Sequence, residues 1–304
     1  MALAAVALAG CSTTTALNAL QPHGTLRAVR NLRYQPGDRG TLDVYAPRSA
    51  DGNAPVVLFI YGGAWDSGRK AQYAFVGDAL ASAGIVTVIP DYRVYPEVRW
   101  PTFLQDNARA VRWAVNHAAD YGGDPCDVFL MGHSAGAYDA LMLALDPLWL
   151  HAVGLDPARD LQGAIGLAGP YDFLPLTSSK LKIIFGPPKG RAATQPINYA
   201  TGQNPPLFLA TDTADRQVDP GNTARLAARV RAGGGTVVVR TYRHLNHALL
   251  IGAFAVPLRW LAPVRRDVVQ FIQAHASIAR QGTCTAQARI RPPARALAPP
   301  VSGP

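Results

Sequence analysis

The middle of the chain alternates short, continuously apolar runs with longer stretches in which apolar residues recur at helical spacing. Val56-Val57-Leu58-Phe59-Ile60 is apolar at every position and stops just before Gly62-Gly63, the pattern of a strand covered on both faces. A helical stretch over 71–83 follows, then a strand over 85–89 closed by Pro90. Residues 103–121 set Leu104, Ala108, Val111 and Ala114 on one helical face. A short buried strand over 128–131 runs into a helix over 135–145. In the second half, 161–167, 206–210 and 236–242 read as strands, and 221–231 and 258–275 as helices. This alternation predicts an α/β fold, a mostly parallel central sheet with helices on both faces. Residues 31–34 and 42–45 read as an N-terminal antiparallel hairpin at one edge, and no repeat of fixed period is found.

The two ends break the rhythm and divide the chain into 1–24 (signal and linker), 25–280 (one domain) and 281–304 (tail). The first ten residues are small and apolar, too short a run to span a bilayer but of the length of a secretory signal core. Leu8-Ala9-Gly10-Cys11 has the form of a bacterial lipobox, which predicts a lipid on Cys11 and an exported lipoprotein on the periplasmic face of a membrane. No Lys or Arg precedes the run, so the usual basic leader is missing, and a soluble periplasmic or secreted protein is the alternative. In an oxidising compartment the two other cysteines, Cys126 and Cys284, either pair with each other or stay as separate thiols. From Gln281 onward the chain is rich in Pro, Ala and Arg without apolar periodicity, the composition of a disordered tail.

Lys plus Arg number 29 against 20 Asp plus Glu, a formal net charge of +9. The basic residues are scattered, with no dense run and no interleaved aromatics, so no nucleic-acid partner is expected.

The chemistry centres on Gly132-His133-Ser134-Ala135-Gly136, a Gly-x-Ser-x-Gly run between a predicted strand and a predicted helix. In that setting the glycines permit a sharp turn that exposes the Ser134 hydroxyl, and the N–H of Ala135 at the helix start faces a developing oxyanion. A serine nucleophile needs a base and an orienting acid, and on this fold both follow it in the chain, acid first. Of His151, His244, His247 and His275, His247 is favoured as base, with His244 as its nearest rival. Asp215 is favoured as acid over Asp212 and Asp219, and Asp219 suits the start of the helix at 221. Tyr61-Gly62-Gly63-Ala64-Trp65 follows the first buried strand, and the N–H groups of Gly63 and Ala64 are expected to complete the oxyanion hole. Trp65 and Tyr61 are candidate substrate-binding side chains, with packing an equal reading for Trp65. The segment 174–197, with Lys180, Lys182, Phe185, Pro187 and Pro188, is expected to cover the site. No ligand-spaced His, Cys or carboxylate cluster and no phosphate-binding loop is present, so neither a metal nor an organic cofactor is implied.

Taken in order, Leu42-Asp43-Val44-Tyr45, Tyr61-Gly62-Gly63-Ala64-Trp65, Asp91-Tyr92-Arg93, Gly122-Gly123-Asp124-Pro125, the serine run, Thr213-Ala214-Asp215 and Asn246-His247 resemble the esterase/lipase branch of the α/β-hydrolases. The likeness is to feruloyl-esterase-like carboxylesterases, with kynurenine formamidase as a relative. It implies Ser134, Asp215 and His247 as the triad. The family usually carries His at Tyr61 and Gly at Asp212, while the Asp91 and Gly122 motifs read as structural turns. The resulting expectation is a serine carboxylesterase acting on small or aryl esters through an acyl-enzyme. An arylformamidase or amidase with the same triad, a peptidase, and a non-catalytic lipoprotein binding module are the alternatives.

Overall fold

The computed structural model describes residue 14 and residues 17–20 and 26–276. Cys11, Cys284 and the 281–304 tail lie outside the described residues, and with them the lipobox and the tail expectation. Cys126 is disulfide-bonded, and its partner also lies outside them.

Eight strands form one sheet: β1 (Leu26–Arg33), β2 (Thr41–Pro47), β3 (Ala54–Ile60), β4 (Val86–Pro90), β5 (Gly123–His133), β6 (Gly163–Leu167), β7 (Leu207–Asp212) and β8 (Val237–Tyr242). Their spatial order is β1-β2-β4-β3-β5-β6-β7-β8. β1 pairs antiparallel with β2, β2 antiparallel with β4, and every later pairing is parallel. The hairpin therefore closes one edge and β8 the other. The central strands carry the continuous apolar runs because both of their faces are covered; β6 and β7 are buried at every position, whereas β8 is half open.

The helices are α1 (Ala74–Ala81), α2 (Thr102–His117), α3 (Ala135–Leu145), α4 (Pro147–His151), α5 (Pro157–Asp160), α6 (Ser179–Ile184), α7 (Gly221–Ala232), α8 (His247–Gly252) and α9 (Val264–His275). The expected helix over 258–275 starts six residues late, at Val264, behind Pro263 at its N-cap, with 256–258 forming a separate 3₁₀ turn. Strand β5 begins five residues earlier than the apolar run suggests, so Gly123-Asp124-Pro125 belongs to the strand rather than to the turn before it. α8 and α6 have only six residues each, too few for a periodic signal.

The parallel register carries the C-terminal ends of the inner strands to one edge: Ile60 lies beside Gly132, His133 beside Leu167, Leu167 beside Ala210, and Asp212 beside Tyr242. Every loop that bears a candidate site residue leaves the sheet at this edge, where ligands bind in open parallel sheets.

Candidate active site

Between β5 and α3 the chain turns within one residue, and Ser134 takes φ 57, ψ −125, a conformation that a residue with a Cβ adopts only under constraint. The constraint is close packing. A Cβ on Gly132 would stand 2.0 Å from the carbonyl oxygen of Gly136, and one on Gly136 would stand 2.1 Å from that of Ile60. The two glycines thus let the elbow press against the end of β3. Ser134 donates its own N–H to Leu167 O at 2.9 Å, which ties the elbow to β6. Ala135 opens α3, so its N–H has no intrahelical acceptor and points out at the helix start.

The loop after β3 lies directly against the elbow: a Cβ on Gly62 would be 2.8 Å from Ser134 Cβ. Gly63 (φ 136), Ala64 (φ 50) and Trp65 (φ 58) are consecutive residues of positive φ, two of them not glycine. Among the described residues, the N–H groups of Gly63 and Ala64 meet no backbone acceptor. Side chains hold this loop in place. Trp65 is buried and donates its indole N–H to Asp139 Oδ1 at 3.0 Å, and Asn107 Nδ2 donates to Asp139 Oδ2 at 3.0 Å. Asp139 is fully buried with no cation among these partners, and burial holds its carboxyl well above the usual range. Around Trp65 pack Tyr138 (5.1 Å, edge-on), Phe185 (4.8 Å, edge-on) and Phe173 (6.2 Å, stacked). Phe173 and Phe185 come from residues 171–200, which contain the 174–197 segment expected to cover the site; Lys180 of α6 forms an ion pair with Asp66, and the backbone N–H of Trp100 bonds Ile184 O at 3.0 Å. The segment expected to cover the site therefore rests on the loop after β3.

Tyr61 does not line this space. It is fully buried and donates its hydroxyl to Asp91 Oδ1 at 2.8 Å, while Tyr92 returns a hydrogen bond to Tyr61 O at 2.8 Å. Its ring stacks between Tyr73 and Tyr92, so substrate would have to displace core aromatics to reach it. Trp65 likewise serves packing and loop support. The Asp91-Tyr92-Arg93 motif is structural: Asp91 also takes the N–H of Lys70, and Arg93 forks onto Asp106 with two bonds of 2.8 Å.

On the far side of the elbow, His247 Nδ1 and Asp215 Oδ2 are 2.7 Å apart, both side chains buried. The other Asp215 oxygen accepts N–H from Gln217 (2.8 Å) and Val218 (3.0 Å), which fixes the carboxylate toward the imidazole. The rivals stand elsewhere. Asp212 is fully buried and straps the two loops together, taking Ala214 N–H at 2.7 Å on Oδ1 and Leu245 N–H at 3.0 Å on Oδ2. Asp219 takes Gly221 N–H at the start of α7 and pairs with Arg225. His244 is exposed.

One neighbour was not foreseen. His133, inside the serine motif, is buried, with its ring 4.8 Å from that of His247 and Nε2 3.0 Å from His247 O. A carbonyl only accepts, so Nε2 carries the proton; burial, and the nearby His247, push the ring's pKa down to about 3. Its place in the motif was visible, but not where the ring would point. Among the described residues no group of three or more His, Cys, Asp or Glu side chains could hold a metal.

The model of the BD-FAE family matches residues 42–230. The chain is 30% identical over 285 residues to esterase LipQ of Mycobacterium tuberculosis, covering 86% of this chain and 67% of LipQ. It is 27% identical over 238 residues to isoprenylcysteine alpha-carbonyl methylesterase ICME of Arabidopsis thaliana, covering 72% of this chain but only 56% of that protein's length. Among solved structures, esterase B from Lactobacillus rhamnosis superposes with a TM-score of 0.74 at 19% identity, over 87% of this chain and 91% of that one, a likeness of fold. With its serine elbow, its strand order and this match over more than half of its length, the chain belongs to the BD-FAE family and has the α/β-hydrolase fold.

Proposed function

We propose that the protein is a serine carboxylesterase acting on small or aryl carboxylic esters. The observation that carries the reading is the Asp215–His247 pair, 2.7 Å long, at the sheet edge where Ser134 is held in its strained elbow. In this mechanism His247 takes the Ser134 proton as the hydroxyl attacks the ester carbonyl. Asp215 fixes the imidazole and stabilises its charged form. The N–H groups of Gly63, Ala64 and Ala135 bind the tetrahedral oxyanion. The alcohol leaves with the proton from His247, and water activated by His247 then hydrolyses the acyl-enzyme. Relatives named as an esterase and a methylesterase support ester chemistry.

The test is hydrolysis of p-nitrophenyl acetate and butyrate by wild type beside Ser134→Ala. Turnover that vanishes in the variant is expected; equal rates in both, or none in either while folded, overturns the reading and brings the formamidase and binding-module alternatives forward.

The location we propose is the periplasmic side of a membrane, with a lipid on Cys11. A disulfide at Cys126 supports an oxidising compartment. Cys11→Ala is expected to move the protein from the membrane fraction to the soluble one, and an unchanged distribution refutes the anchor.

A further inference from the structure

We propose that His133 is a positioning residue, which holds the His247 loop at the distance from Ser134 that proton transfer needs. The inference rests on the proposed role of His247 as base.

His133 is wedged between the two halves of the machinery. On one side its Nε2–H grips the main chain of His247 at 3.0 Å, with the rings tilted by 43°. On the other, a Cβ placed on Gly62 would come within 3.4 Å of Nδ1, so the ring abuts the loop that carries Gly63 and Ala64. That Nδ1 is buried with no hydrogen-bond partner among the described residues. An unpaired buried acceptor is a cost that a phenyl ring of similar size would avoid. The N–H to His247 is therefore the contribution that calls for a histidine here. Strap and wedge are complementary: Asp212 holds the loop two residues before His247, through Leu245 N–H, and His133 holds it at His247 itself. Because the ring stays neutral, it meets the incoming proton on His247 without adding a like charge. Asp215 is the carboxylate that also bears on it.

The experiment compares wild type, His133→Gln and His133→Leu in the full chain. The glutamine amide places an N–H about where Nε2 stands, and leucine fills the space without a donor. The NMR resonance of the His247 Nδ1 proton, which lies between the ring and Asp215, reads the hold directly and needs no turnover; kcat and KM for p-nitrophenyl acetate read its consequence. In His133→Leu, kcat is expected to fall roughly 10- to 100-fold with KM little changed, and the resonance of the His247 Nδ1 proton to move upfield as the 2.7 Å bond to Asp215 loosens. His133→Gln is expected to restore most of both. A folded leucine variant with wild-type kcat and His247 Nδ1 proton resonance overturns the proposal, and so does a glutamine variant no better than leucine. Should His133→Leu not fold, His133→Phe supplies the donor-free ring under the same criteria. If wild type hydrolyses no ester, the esterase reading fails while the NMR comparison still decides whether His133 holds the loop.

Discussion

Three aspartates lie within the eight residues 212–219, from the last position of β7 into the loop beyond it, and each does something different because each meets different partners. Asp215 faces His247, Asp212 straps two loops, and Asp219 accepts the N–H of Gly221 at the start of α7. Exchange for asparagine or alanine separates the roles. Asp215→Asn keeps the shape but offers His247 the wrong partner, and kcat is expected to fall by about 10³–10⁴-fold. Asp219→Asn is expected to leave kcat unchanged. Asp212→Ala strands the buried N–H of Leu245 and the part-buried one of Ala214, and urea unfolding is expected to show a loss of about 1–3 kcal/mol together with a lower kcat. If Asp219→Asn were the variant that lost turnover, the assignment of the acid would be wrong.

At the scale of elements, the loop after β3 is held from several sides at once. Three successive positive-φ residues are kept in place by one indole N–H on a buried carboxylate and by aromatics from the 171–200 segment. Trp65→Phe retains the ring contacts but deprives Asp139 of one of its two donors. We expect stability to drop by about 1–3 kcal/mol, with a slower acylation step in pre-steady-state bursts as the Gly63 and Ala64 N–H groups lose their aim. A Trp65→Phe enzyme with wild-type melting and burst rate would show that the Asp139 bond does not support the loop.

For the whole molecule, the buried titratable groups set how stability follows pH. His133 has its pKa depressed to about 3 in the fold, against the ordinary value of 6.5 in the unfolded chain. Its contribution is fully present above pH 6.5 and is lost as pH falls from there toward 3, because the unfolded chain gains a proton that the fold refuses. At pH 5 the loss is about 2 kcal/mol. Asp139 runs the other way: its raised pKa means that acid relieves the cost of burying its charge. The melting temperature of wild type is therefore expected to fall more steeply between pH 7 and 5 than that of His133→Gln, which has nothing to protonate there. Parallel curves would refute it.

The sequence by itself determined the sheet, the hairpin at its edge and the serine elbow, because these depend on local pattern: fully apolar runs, helical spacing, and glycines where the chain must turn. It also placed Asp215 and His247 just beyond two neighbouring strands, since position after a strand limits which residues meet at that edge, and the structure sets the two side chains 2.7 Å apart. What only the tertiary structure decided depends on side-chain direction across elements distant in sequence. Tyr61 looked available to substrate, but its ring is sealed between Tyr73 and Tyr92 with its hydroxyl on Asp91. His133 carries no signal in the sequence beyond its place in the motif, yet it bonds a residue 114 positions away. The partners of the three aspartates were settled by packing: the register of β7 beside β8 brings Asp212 level with Tyr242, and of the three it is Asp215, the one the sequence favours, that meets His247. Periodicity reports which face of an element is covered, and packing alone reports what covers it.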